Sequence, residues 1–174
     1  LAFELANKAP AKKRYKSTHF ISEIAKTAGH SQLIAGQVAD LEGEGKSVSK
    51  SQLKYIHERK TSALLTCAVK LGGMAANCTP RQLEALTEFG YNIGLAFQVI
   101  DDILDVTQTS KKLGKTAGKD EAAQKATYPS VVGLDNARKI ATKLTTKAYD
   151  ALKPFKGRAI ALEAMADYLL KRDH

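Results

Sequence analysis

The amino-acid sequence predicts an all-α fold. Aromatic residues make up only 6 % of the 174 residues, there is no Trp and only 4 Pro, and Ala, Leu and Lys abound. This balance favours helices over a sheet rich in aromatic and β-branched side chains. Hydrophobic and charged fractions of 44 % and 26 % are typical of a folded globular domain of this length.

The charge balance favours an anionic ligand. Lys and Arg outnumber Asp and Glu by 27 to 18, which gives a net charge of +9. A nucleic-acid interface would also use this charge, but the sequence has no helix-turn-helix, RNP motif or aromatic platform to support one. Two cysteines form neither a disulfide framework nor a zinc motif, and no run approaches the ~18 apolar residues of a membrane span, so we expect a cytoplasmic protein.

The first part of the chain predicts two helices of moderate length. The first runs from Phe20 to Ala28 and stops at Gly29. The second is capped by Ser31 and covers roughly residues 32–44. Its Gly36 is unfavourable inside a helix unless another backbone or a ligand approaches closely.

A longer helix is predicted from Ser49 to about Leu71, ending at the glycine pair Gly72-Gly73. Its stripe repeats every three or four residues and consists of Leu53, Ile56, Lys60, Leu64, Cys67 and Leu71. Lys60 is the cation in this stripe. It either extends its amine to solvent along the apolar surface or meets a buried anion.

The segment Thr79-Pro80-Arg81-Gln82 predicts a sharply defined helix start, with a cap, a first-turn Pro and a capping-box Gln. That helix extends to about Val106, and at ~1.5 Å per residue it would be ~40 Å long and span the domain. Residues 107–128 lose apolar periodicity and predict a long functional loop. A helix capped by Asp135 follows and breaks at Pro154, and a last helix completes the chain.

Three carboxylates are expected to converge near the end of the long helix. Asp101 and Asp105 lie one turn apart on one face with Gln98 beside them, and Asp102 lies about 100° round the axis. The neighbouring positions are apolar, and no Lys or Arg stands three or four residues away. The carboxylates therefore share protons or bind a cation, unless they form a solvated acidic patch. Oxygen ligands without His or Cys indicate Mg²⁺.

A glycine- and lysine-rich segment follows the long helix that carries the three aspartates. Gly114 and Gly118 allow close approach of the backbone, and Lys115, Lys119 and Lys125 bring cations back over the carboxylates. Carboxylates for a metal beside lysines for phosphate predict a diphosphate site bridged by Mg²⁺. Lys60 could complete this site from a neighbouring helix.

Five segments together resemble the trans-type polyprenyl diphosphate synthases, the family of farnesyl and geranylgeranyl diphosphate synthases. They are IAGQVADLEGEG (34–45), IHERKTSALL (56–65), GLAFQVIDDILDV (94–106), GKTAGKD (114–120) and KATYP (125–129). The resemblance covers nearly all of the chain. It implies an isoprenoid-synthase helical bundle around a deep cavity, a homodimer, and condensation of isopentenyl diphosphate with an allylic diphosphate through Mg²⁺-assisted ionisation.

The resemblance also implies roles for individual residues. Asp101, Asp102 and Asp105 resemble the family's second aspartate-rich motif, which would hold Mg²⁺ on the allylic diphosphate and act in catalysis together with Lys60. The positions that match diphosphate contacts in the family are Lys60, Thr61, Gln98, Lys115 and Lys125, and Lys119 matches less closely. The departing diphosphate would accept the proton, so His57 is expected to be an ordinary surface or hydrogen-bonded residue.

The family's first aspartate-rich motif and the basic residues that bind isopentenyl diphosphate are absent from this sequence. We therefore expect residues 1–174 to be the C-terminal part of a single larger domain that lacks its N-terminal helices here and is inactive alone. A non-catalytic subunit that modulates a partner is the alternative. The intact second aspartate-rich motif counts against that alternative.

Overall fold

The computed structural model describes residues 1–107 and 125–170, and this part of the chain contains helices and no strand. The helices are α1 (Ala2–Asn7), α2 (Ser17–Ala28), α3 (Leu33–Gly43), α4 (Lys50–His57), α5 (Ala63–Ala75), α6 (Pro80–Thr107), α7 (Tyr128–Val132), α8 (Leu134–Leu152) and α9 (Ile160–Leu170). A π-helical turn, Glu58–Ser62, joins α4 to α5, and a 3₁₀ turn, Lys153–Phe155, follows α8. The all-α prediction is confirmed. None of the described helices has the length and apolar composition that crossing a membrane requires.

Helix α6 is the central helix and makes its most extensive contacts with α8 and α5. It begins where the sequence predicts, because Thr79 Oγ1 accepts a hydrogen bond from Gln82 N at 3.3 Å and Gln82 Oε1 accepts one from Thr79 N at 2.8 Å. Phe89 and Ile93 of α6 are fully buried. They pack against the small side chains Ala148, Ala151, Ala159 and Ala166. These small residues allow α8 and α9 to lie close to the central helix.

A second apolar cluster supports the acidic end of α6. Leu53 of α4, Val99 of α6 and Tyr128 of α7 are buried together with Ala137 and Ala141 of α8. Burial of one such large side chain stabilises the fold by about 1.5–3 kcal/mol. Four helices are thereby fixed around the carboxylates of α6.

The glycine pair after Leu71 does not end α5, contrary to the prediction. The helix continues to Ala75, and Asn77 then adopts a φ of 57°, the left-handed conformation that commonly follows a helix C-terminus. A Cβ at Gly73 would lie 2.5 Å from Leu86 Cδ1. Glycine at this position therefore serves close packing against α6.

Two predicted caps and one predicted start are also wrong. α2 begins at Ser17, three residues before the predicted position. The N-cap of α3 is Gln32, and no side-chain bond from Ser31 caps that helix. α8 begins at Leu134, so Asp135 lies in its first turn, because Gly133 with a φ of 82° makes the tight turn between α7 and α8.

The helix predicted from Ser49 to Leu71 is interrupted by the π-helical turn. Its start is as predicted, since Ser49 caps α4 and Gln52 completes the capping box. The π turn winds the backbone more widely than an α-helix and changes the register of the apolar stripe. Ser62 is consequently fully buried, whereas Leu64, which the stripe predicts to be inside, is half exposed.

Candidate active site

The π turn that carries Lys60 and Thr61 is held between α3 and α6. On the α3 side, a Cβ at Gly36 would lie 2.4 Å from the backbone nitrogen of Lys60, so only glycine permits this approach. On the α6 side, a Cβ at Gly94 would lie 2.7 Å from Ser62 Cα. Of the two explanations for a glycine inside α3, a close backbone or a ligand, the close approach of another backbone is therefore the one that the structure supports.

Hydrogen bonds attach both ends of the π turn to α6. Ser62 Oγ donates to the carbonyl oxygen of Tyr91 at 2.9 Å, and the hydroxyl of Tyr91 donates to Glu58. Lys54 Nζ forms an ion pair with Glu58 at 3.1 Å. Each of these hydrogen bonds contributes about 1 kcal/mol. Lys60 and Thr61 are therefore presented by an anchored backbone.

Lys60 and Lys125 meet at one carboxylate of α3. Lys60 Nζ lies 2.5 Å and Lys125 Nζ 3.1 Å from Asp40 Oδ2, and Lys125 also contacts Glu44 Oε1 at 3.2 Å. Burial alone would raise the pKa of Asp40, but the hydrogen bonds and charges of the two lysines outweigh it and lower the pKa. Of the two predictions for Lys60, an amine extended to solvent or an amine paired with an anion, the structure supports the ion pair.

A row of residues along α6 connects the π turn to the acidic segment, the part of α6 that contains Asp101, Asp102 and Asp105. Gly94, Gln98 and Asp102 are spaced four residues apart and face the same side of the helix. Thr61 Oγ1 donates to Gln98 Oε1 at 3.1 Å, and Gln98 Nε2 donates to Asp102 Oδ1 at 3.2 Å. The predicted diphosphate contacts Thr61 and Gln98 therefore lie in one hydrogen-bonded chain.

Asp102 is buried and faces the start of α7. Its Oδ2 accepts a hydrogen bond from Tyr128 N at 2.9 Å and lies 3.9 Å from His57 Nε2. This contact holds the chain that leads from Lys125 into α7 against the acidic helix. Burial and the charge of Asp102 raise the pKa of Tyr128 to about 12.

His57 is 6 % exposed, so the expected surface position is wrong. Burial is the main cause that lowers its pKa to about 4; the charges of Asp40 and Asp101 oppose this shift, and the charge of Lys60 acts in the same direction as burial. Its Nδ1 has no hydrogen-bond partner among the described residues. His57 is thus a neutral imidazole packed at 5.3 Å from the Tyr128 ring.

The three predicted metal ligands differ in their surroundings. Asp102 and Asp105 are buried, whereas Asp101 is half-buried. Within the described ranges, no three His, Cys, Asp or Glu side chains are grouped so that they could hold a metal ion, so the expected convergence of the three carboxylates is wrong. The side chains project to different sides of the helix, because Asp102 lies about 100° round the axis from Asp101. Lys115 and Lys119 lie outside the described residues, so their predicted place beside the carboxylates stays a prediction.

Sequence reasoning missed Asp40 and Glu44. Both lie within the segment 34–45 that carries part of the resemblance, and they follow Gly36 at intervals of four residues. Gly36 marks the close approach of α3 to another backbone, and residues four and eight positions later share its face. That spacing is the signal that could have identified the two carboxylates.

Comparisons with known proteins give a consistent result. A family model described as polyprenyl synthetase matches residues 1–166. A chloroplastic geranylgeranyl pyrophosphate synthase of Capsicum annuum is 47 % identical over 156 residues, which cover 88 % of this chain and 42 % of that protein. The chain spans about half the length of the curated relatives it matches.

Solved structures are similar over almost the whole chain. The geranylgeranyl pyrophosphate synthetase from Pyrococcus horikoshii superposes with a TM-score of 0.84 at 28 % identity, covering 98 % of this chain and 63 % of that one. The geranyltransferase from Helicobacter pylori, complexed with magnesium and isoprenyl diphosphate, has a TM-score of 0.73 at 30 % identity. That match covers 97 % of this chain and 55 % of the Helicobacter chain.

Proposed function

Because the chain belongs to the polyprenyl synthetase family, we propose that the whole protein is a prenyltransferase that condenses isopentenyl diphosphate with an allylic diphosphate. Its product is a short-chain trans-prenyl diphosphate, farnesyl or geranylgeranyl. Residues 1–174 form the C-terminal part of its single synthase domain. The observation that carries the proposal is the pairing of Lys60 and Lys125, which are distant in sequence, at Asp40. Thr61, next to Lys60, connects this pair to the acidic end of α6 through Gln98 and Asp102.

The cations bind the allylic diphosphate and stabilise it as it leaves. Lys60 and Lys125, with Lys115 and Lys119 from the adjoining segment, neutralise the charge that develops on the leaving diphosphate oxygens. Lysine binds phosphate as a compact point charge. The Thr61 hydroxyl donates to Gln98 Oε1 at 3.1 Å and so orients the amide, whose nitrogen carries a second N–H for a phosphate oxygen besides the one donated to Asp102. Thr61 itself donates to the diphosphate when its hydroxyl turns from Gln98 to the ligand.

The acidic segment that contains Asp101, Asp102 and Asp105 is the proposed Mg²⁺ site, with its carboxylates acting singly or in pairs beside substrate phosphate, since the three are not grouped as one ligand cluster. Its donors are carboxylate oxygens only, which fits Mg²⁺, an ion that commonly uses one or two carboxylates together with water and substrate phosphate. Asp101 is the most accessible of the three. Asp102 already accepts hydrogen bonds from Gln98 and Tyr128. When bound, the metal supplies Lewis-acid assistance to ionisation.

Self-association and location belong to the same proposal. Ile34, Val38 and Leu41 are exposed large apolar residues on α3. They recur at helical spacing and form a stripe of the kind that a second subunit covers. We propose a homodimeric state on this basis, together with a cytoplasmic location.

The test is a condensation assay on the whole protein with labelled isopentenyl diphosphate, dimethylallyl diphosphate and Mg²⁺. A prenyl product supports the proposal, and Asp101→Ala and Lys60→Ala should each lower turnover by about 10²–10³-fold with folding intact. Glu42→Gln, an exposed charge change on α3, serves as the control. No product with any allylic primer, under conditions where the protein is folded, would refute a catalytic role and favour a non-catalytic subunit.

A further inference from the structure

We propose that Asp40 is a positioning residue that holds Lys60 and Lys125 side by side, so that the pair selects a ligand with two adjacent phosphoryl groups over one with a single phosphate. The inference rests on the proposed function of the same site. Asp40 is assigned no contact with substrate. It acts through the two lysines.

The packing of α3 on the π turn brings Asp40 to the lysines. Gly36 lets the α3 backbone approach Lys60 closely, since its missing Cβ would lie 2.4 Å from Lys60 N. Asp40 is one turn further along the same face. Its carboxylate therefore points across the helix interface, where it is only 15 % exposed.

One oxygen of Asp40 contacts both ammonium groups. Oδ2 lies 2.5 Å from Lys60 Nζ and 3.1 Å from Lys125 Nζ, so the two cations are neighbours although they lie far apart in the sequence. Without an anion between them, two such cations repel each other and separate. Glu44, one turn after Asp40, contacts Lys125 alone at 3.2 Å and is more exposed.

The pairing leaves donors available for a ligand. An ammonium group has three N–H donors. In the described part of the chain, Lys60 contacts one carboxylate and Lys125 contacts two. The remaining donors belong to two adjacent cations whose side chains are already ordered, and ordering a rotamer-rich side chain on binding costs about 0.5–1.5 kcal/mol.

Electrostatics alone would predict the opposite effect of removing Asp40. Its negative charge repels an incoming anion, and its loss would release two lysines that are now neutralised. In that case affinity for every anion would rise, in proportion to ligand charge. Positioning predicts instead a selective loss for the ligand that needs both lysines at once. The two explanations therefore differ in the sign of the change.

Isothermal titration calorimetry distinguishes the positioning explanation from the electrostatic one. The full chain is titrated with inorganic pyrophosphate and with orthophosphate in metal-free buffer. Asp40→Asn keeps the size of the side chain and removes its charge. We expect pyrophosphate affinity to fall by about tenfold, as follows from ordering two lysines anew, and orthophosphate affinity to stay within about twofold. Asp40→Glu, which retains a carboxylate, should restore part of the preference for pyrophosphate.

Two further variants make the result interpretable. Glu42→Gln makes the same charge change at an exposed position of α3 and should leave both affinities as in the wild type. Glu44→Gln removes the second contact of Lys125 only and should weaken pyrophosphate binding by about threefold. If thermal unfolding shows that Asp40→Asn does not fold, Asp40→Glu takes its place, because it keeps the charge and moves the carboxylate by one methylene. Pyrophosphate affinity should then fall while orthophosphate affinity stays within about twofold, and an unchanged pyrophosphate affinity overturns the positioning role.

The pyrophosphate preference of the wild type and of the Asp40 variants decides whether Asp40 positions the two lysines. Loss of the pyrophosphate preference in Asp40→Asn, with partial rescue by Asp40→Glu, supports the positioning role. An unchanged preference, or tighter binding of both anions, overturns it and leaves the proposed function intact. A folded wild-type chain that does not prefer pyrophosphate to orthophosphate overturns the diphosphate site itself, and the positioning role with it.

Discussion

Replacing His57 tests whether a buried neutral imidazole makes the fold sensitive to acid. His57 lies between Asp102 and the Tyr128 ring, and its pKa is lowered from 6.5 to about 4, mainly by burial. The unfolded chain therefore binds a proton below pH 6.5 that the folded chain refuses until about pH 4. The contribution of His57 to the free energy of unfolding is therefore fully present above pH 6.5, the pKa of the unfolded chain, and is lost as the pH falls towards 4.

The size of this effect follows from the two pKa values. One pKa unit corresponds to about 1.4 kcal/mol, so the pKa difference of His57 amounts to about 3 kcal/mol when the pH has fallen to 4. At pH 5 the expected loss is about 2 kcal/mol relative to pH 7.5. A domain with a total stability of about 5–15 kcal/mol would show this clearly.

The assay is urea unfolding followed by far-UV circular dichroism at several pH values between about pH 7.5 and pH 5. His57→Gln keeps an amide near Asp102 and cannot titrate, so about 2 kcal/mol of the pH-dependent loss should disappear. His30→Gln, at an exposed position, is the matched control and should follow the wild type. If His57→Gln loses stability with pH as steeply as the wild type, His57 does not exist as a buried neutral group and the reasoning fails.

Other substitutions test the packing and caps through urea unfolding. Gly94→Ala, whose Cβ would lie 2.7 Å from Ser62 Cα, should cost about 2 kcal/mol, whereas Gly72→Ala, which faces open space, should stabilise by up to about 1 kcal/mol. Equal effects of the two would contradict the close approach of α6 to the π turn. Phe89→Ala, at a fully buried position, should cost about 3–5 kcal/mol, and a loss below 1 kcal/mol would place Phe89 outside the core. Thr79→Ala removes a helix cap and should cost about 1 kcal/mol, while Thr79→Ser should retain most of the wild-type stability.

The most reliable predictions from the sequence concern local chemistry. The capping box at Thr79 specifies the start of α6, because its two hydrogen bonds form between residues three positions apart. Composition predicts the all-α class, and the linked motifs predict the isoprenoid-synthase bundle, which the matching family model and solved structures confirm. Helix ends that depend on contacts with other helices were predicted less well, as at Gly73, where glycine accommodates Leu86.

In the candidate site, too, residue types could be predicted from the sequence better than contacts between helices. Residue type and spacing single out Lys60, Gln98 and the aspartates, whereas Thr61 is singled out by the family resemblance. The spacing of Asp40 and Glu44 from Gly36 marks them in the sequence, but it does not show which lysines they contact. Asp40 is 20 residues from Lys60 in the chain, and its contact with that lysine depends on how closely α3 approaches the π turn.

The sequence by itself determined the helical class, the start of the central helix and the residue types of the candidate site, namely carboxylates followed by lysines. Only the tertiary structure decided that Asp40 joins Lys60 to Lys125, that His57 is buried, and that Asp102 faces Tyr128. The physical reason is the separation along the chain of the residues that interact. Capping, periodicity and side-chain chemistry act between near neighbours in the chain, whereas ion pairs across helices and the burial that lowers the pKa of His57 arise only when distant segments pack together.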